Sequence, residues 1–85
     1  MSDPVSWLLV EHGWKVVDAG GADVGTVDEV RGDAEQDIFS GLEVSTGLLG
    51  RSHFVSAEHV MEIVEGRVRL DLDRQVVKRL HGPAS

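Results

Sequence analysis

Asp33, Glu35 and Asp37 set three carboxylates at alternate positions, as the opening ligands of a calcium loop are set. An EF-hand loop then requires Gly at its sixth position and Glu at its twelfth. Ile38 and Val44 stand there instead, so a solvated hairpin turn is expected. Histidine is the other ligand-capable type, at positions 12, 53, 59 and 81. His53 and His59 are divided by a strand-to-turn break, His12 falls in a turn and His81 at a helix end. That spread does not suit the convergent ligand set a metal needs. The Gly20-Gly21-x-x-x-Gly25 run lacks the Gly-Lys-Ser/Thr of a phosphate loop, and there is no Gly-x-Ser-x-Gly elbow for a nucleophilic serine. Cysteine is absent, which removes thiolate chemistry and disulfides. A small barrel fills its interior with side chains and leaves little cavity for a tuned acid–base pair. No catalytic residue, metal or cofactor is expected, and the chain does not look like an enzyme.

The residues that stand out are apolar ones in unpromising places. Trp7, Leu8, Leu48 and Leu49 lie outside the clear alternating strands. They either plug the open ends of a barrel or form an exposed patch for a protein partner, tryptophan being enriched at binding hot spots. Arg67 and Arg69 share the outward face of one strand, as ordinary surface charges or as a contact for an anionic partner surface.

These residues need a scaffold, and the sequence punctuates one. Trp14–Asp18 and a partner from about Val24 to Gly32 flank an Ala/Gly/Asp cluster, a hairpin signature in which Gly20 and Gly21 supply positive φ. Val24, Val27 and Val30 fall three apart, so strict alternation fails and a bulge is expected, best placed at Gly25. Arg31–Asp37 forms a polar turn. In the third strand Ile38, Leu42 and Val44 share one face with Ser40, while Phe39, Gly41 and Glu43 take the other. Gly47–Gly50 is a glycine-flanked loop, and Ser52–Val55 resumes extended structure. Ser56 caps a single turn over Ala57-Glu58-His59, which leads into a strand from Val60 to Val64. Arg67 to Leu72 alternates charged and apolar without a break, a half-buried antiparallel strand. Asp73 then caps a helix carrying Val76, Val77 and Leu80, with Leu72 and Val77 at hydrophobic-staple positions and Gly82-Pro83 as the stop.

The 85 residues suit one domain, with an ordered core from about residue 7 to residue 81. Hydrophobic residues make up 41% and aromatics only 5%, so the core must be mostly Val, Leu and Ile. No apolar run approaches the roughly 18 residues of a membrane span. The N-terminus lacks a basic region before an apolar core, so a cytoplasmic location is expected. The net charge of −7 argues against general nucleic-acid binding. The charge is uneven: ten acids against Lys15 and Arg31 give −8 over residues 1–50, and six cations against five acids give +1 over residues 51–85. The plain reading of such asymmetry is a lopsided solvated surface; the alternative is pairing of two copies, acidic face to basic face.

Taken together the pieces resemble a PRC-barrel domain, from about Trp7 to Leu80. The carriers are Gly13-Trp14-Lys15-Val16-Val17-Asp18, Gly21-Ala22-Asp23-Val24-Gly25-Thr26-Val27, Phe54-Val55-Ser56-Ala57-Glu58-His59-Val60 and Gly66-Arg67-Val68-Arg69-Leu70. Ser56 stands where that family commonly has proline. The resemblance implies a small antiparallel β-barrel or roll of about six short strands with one C-terminal helix. It also implies a non-enzymatic adaptor, a scaffold in a larger assembly such as a cell-division complex. The expected partners are proteins, including a second copy in a homodimer, with no small-molecule substrate. The alternative is a ribosome- or RNA-associated factor using Arg67, Arg69, Arg74, Lys78 and Arg79.

Overall fold

Six short strands and one short helix account for most of the chain in the computed structural model, which describes residues 5–47 and 52–80. The strands are β1 (Lys15–Val17), β2 (Asp23–Asp33), β3 (Ile38–Ser45), β4 (Ser52–Ser56), β5 (Val60–Val64) and β6 (Arg67–Leu70). Helix α1 spans Arg74–Lys78, and single 3-10 turns cover Trp7–Leu9 and Ala57–His59. The protein is mainly β, in one sheet of order β4-β3-β2-β1-β6-β5. β4 and β5 are its edges, so the sheet is not closed.

Every pairing is antiparallel except one: β1 runs parallel to β6, with Lys15 opposite Arg67 and Val17 opposite Arg69. The sheet is therefore mixed. Alternation tells which face a strand buries but not which distant strand lies beside it or in which sense, so this pair was not legible in the sequence.

Extra residues shape the long strands. Against β1, β2 carries Val24 unpaired, immediately before Gly25, and against β3 it carries Asp28 unpaired. These irregularities let Val24 and Val27 both reach the core despite their spacing of three. Gly25 is required by proximity, because a Cβ there would sit 2.0 Å from the Ser45 carbonyl oxygen. In the first turn only Gly21 takes positive φ, at 91°; Asp18 Oδ1 completes the turn by accepting from the Gly20 and Ala22 amides at 2.9 Å.

The third strand corrects one facial assignment. Arg31 pairs with Gly41 and Gly32 with Phe39, which leaves Ser40 as an extra residue on β3. The slip reverses the faces before it. Phe39 packs against the core while Ile38 is 50% exposed, although Leu42 and Val44 are fully buried as their pattern predicts.

The core is a valine-rich cluster in which Val16, Val24, Val27, Leu42, Val44, Val55, Val68, Leu70 and Val77 are fully buried. Val77 is α1's contribution. Asp73 caps that helix by accepting from the Val76 amide at 2.9 Å, and Arg74 donates to the Thr46 carbonyl oxygen at 2.8 Å, tying the helix to the end of β3. Leu72 lies beyond the end of β6 and packs half-buried against the same cluster. The predicted helix stop at Gly82-Pro83 lies outside the described residues. Among the described residues no helix is long and apolar enough to cross a membrane.

Candidate functional site

The N-terminal 3-10 turn begins at Ser6, whose Oγ accepts from the Leu8 amide at 3.1 Å. That turn aims Trp7 at the β2–β3 hairpin. The indole stacks on Phe39 with centroids 5.3 Å apart and planes 15° from parallel, and its Nε1 donates to Asp37 Oδ1 at 2.9 Å. Gly32 makes room for it, since a Cβ there would come within 2.9 Å of the indole ring. Asp37 is held by the turn itself, at φ 54°, while Asp33 Oδ1 accepts from the amides of Glu35 and Gln36. Each of the three acids that opened the sequence analysis thus belongs to a hairpin turn, and Asp33 and Asp37 hold it or its tryptophan in place.

On the other side of the tryptophan lies the edge strand β5. Val5 donates to the Ile63 carbonyl oxygen at 2.8 Å, fastening the start of the described chain to that edge. Between them opens a cleft of ≈ 410 Å³ lined by Val5, Trp7, Phe39, Val60, Met61 and Ile63. Met61 is the unpaired residue of a bulge, because Val60 pairs with Leu70 and Glu62 with Arg69. A bulge on an edge strand re-aims its side chain, and Met61 is 59% exposed. A second cleft of ≈ 270 Å³ shares Val5 and is lined also by Leu9, Glu11, Trp14 and Glu65. The two clefts have Val5 in common, and glutamates line both, Glu62 in the first and Glu11 and Glu65 in the second.

The predicted site residues divide. Trp7 is half-buried and lines the first of these clefts. Leu8 projects outward at 49% exposure and lines neither cleft. Leu48 and Leu49 lie outside the described residues. Arg67 is exposed on β6, whereas Arg69 donates to Glu62 across the β5–β6 pair and is half-buried. Arg69 is thus a strand-to-strand tie. Arg74 likewise bonds within the fold, to the Thr46 carbonyl oxygen. Phe39, Met61, Val5 and Ile63 were missed. The sequence signal for Met61 was slight, an unbranched apolar residue among Val60, Ile63 and Val64.

The three histidines among the described residues tie elements together. Nδ1 of His53 donates to the Leu80 carbonyl oxygen at 3.0 Å and that of His12 to the Asp28 carbonyl oxygen at 2.9 Å; carbonyls only accept, so Nδ1 carries the hydrogen. His59 Nδ1 lies 2.9 Å from Asp71 Oδ1. Asp71 lines a third cleft with Asp18 and Asp73, all three of which are already bonded within the fold. Among the described residues no three His, Asp or Glu side chains converge as a metal site.

The sequence matches a family model over residues 10–78, described as an uncharacterized protein conserved in bacteria. No curated protein matches the chain. The PRC-barrel resemblance is corrected by this result, because the matching model is a different family and no PRC-barrel family is found. Of the four segments that suggested it, the turn glycine between β-branched runs is a general hairpin feature. The match begins at Val10, so it takes in Phe39, Met61 and Ile63 but not Trp7. The chain belongs to the DUF2171 family of uncharacterized proteins conserved in bacteria.

Proposed function

We propose that the protein is a non-enzymatic protein–protein interaction module, an adaptor that docks through the apolar face around Trp7, Phe39 and Met61. The observation that supports it is the exposed Met61, raised by a bulge on an edge strand beside an open, largely apolar cleft. Large exposed apolar surface next to a groove marks a contact site for another macromolecule. β5 is an edge strand, the kind of element that offers backbone groups to a partner, although its Ile63 carbonyl is already taken by Val5. Leu9 and Ile38, 57% and 50% exposed, extend the apolar character beyond the cleft.

A photo-crosslinking side chain placed at position 61 in living cells tests this reading. Protein adducts are expected there, with a second copy counting as a partner, and none from the same probe at Ala34 in the β2–β3 turn. Equal labelling at the two positions sinks the proposal.

A further inference from the structure

We infer that the occupant of this face is a cationic, apolar segment of another protein, one that sets Arg or Lys beside bulky aliphatic side chains. The inference rests on the docking reading above and adds the partner's chemistry. Among the described residues, the lining of the two clefts that share Val5 holds no Lys, Arg or His. It holds three glutamates. Glu62 is neutralised by Arg69, but Glu11 and Glu65 form no ion pair among the described residues. Asp37, at the Trp7 indole, adds a fourth carboxylate at the edge of the face. The apolar floor thus carries anionic groups around it, and among the described residues Glu11 and Glu65 have no cation paired with them.

The same arrangement disfavours a second copy as the occupant. A two-fold pairing through this face brings both copies' Glu11 and Glu65 into one interface, in a chain whose net charge is −7. Like charges placed together across an interface are penalised, and complementary ones speed encounter and set specificity.

The test uses a labelled synthetic peptide of about a dozen residues alternating Leu and Arg, titrated by fluorescence anisotropy at low and moderate salt. Two isosteric pairs are compared: Glu11→Gln with Glu65→Gln at the face, and Asp23→Asn with Asp71→Asn away from it. Both raise the net charge by the same two units. The face pair is expected to weaken binding about tenfold at low salt and the distant pair less than about twofold. Met61→Ser is expected to weaken it at both salt concentrations.

Equal losses from the two pairs overturn the inference, since only bulk charge is then felt. So does equally tight binding of the peptide with Gln in place of Arg; if Met61→Ser still weakens that binding, the docking reading survives alone. A dimer of the peptide-free protein that Met61→Ser dissociates assigns the face to a second copy. No peptide binding together with no site-dependent crosslinks removes both proposals.

Discussion

Arg31 lies between two glutamates that the sheet register sets opposite each other. Its Nε donates to Glu43 Oε2, and its terminal nitrogen sits 3.3 Å from Glu29 Oε2. Glu29 and Glu43 are cross-strand partners on β2 and β3. The Glu43 side chain is only 4% exposed, and the Arg31 guanidinium is its ion-pair partner.

Arg31→Met should therefore destabilise the protein by about 3 kcal/mol, because it strands a buried carboxylate beside a second one. Arg31→Met combined with Glu43→Met should recover most of the loss, since the buried charge is gone. Urea unfolding of the two variants checks this. A single variant as stable as the parent shows that Glu43 does not need its partner.

Gly25→Ala should abolish cooperative folding, because no rotation moves a Cβ away from the Ser45 carbonyl oxygen 2.0 Å off. Gly20→Ala is the matched control. Its Cβ would meet only Asp18 Oδ1 at 3.5 Å, so stability should stay within about 1 kcal/mol of the parent. Thermal melts followed by circular dichroism separate the two.

Trp7→Phe should cost about 1 kcal/mol, keeping the stack on Phe39 and losing the bond to Asp37. Trp7→Ala loses both and should cost about 2 kcal/mol. Equal costs for the two variants, by chemical denaturation, place all of Trp7's contribution in the hydrogen bond.

The short helix should depend more on packing than on its cap. Val77→Ala removes buried methyl groups from the core and should cost about 2 kcal/mol. Asp73→Ala frees one exposed amide at Val76 and should cost about 1 kcal/mol. The reverse order in urea midpoints makes the cap the dominant constraint.

Much of the architecture was legible because its signals are local. The alternation of Arg67 to Leu70 fixed which side chains of β6 point inward, and Val68 and Leu70 are fully buried. Asp73 announced the start of α1, and the three-residue spacing of Val24, Val27 and Val30 announced an irregular β2. The Ala57–His59 turn stands where it was expected, but the expected cap does not, since Ser56 makes no side-chain cap bond there. Each of these reports a backbone need met within a few residues of itself.

The docking face was not legible in that way. Trp7 drew notice by type, but its stack on Phe39 depends on an extra residue at Ser40 that reverses the faces of the strand start. Met61 owes its exposure to a bulge defined only by the partner strand.

The sequence alone determined the kind of scaffold, its turns, its valine core and the single capped helix, since periodicity and turn chemistry act at short range. Tertiary structure alone decided that β1 lies parallel to β6, that the sheet stays open at β4 and β5, and that Val5, Trp7, Phe39 and Met61 meet in one cleft. Register between distant strands is set by the packing of the whole core, and a shift of one residue moves a side chain from one face of the sheet to the other.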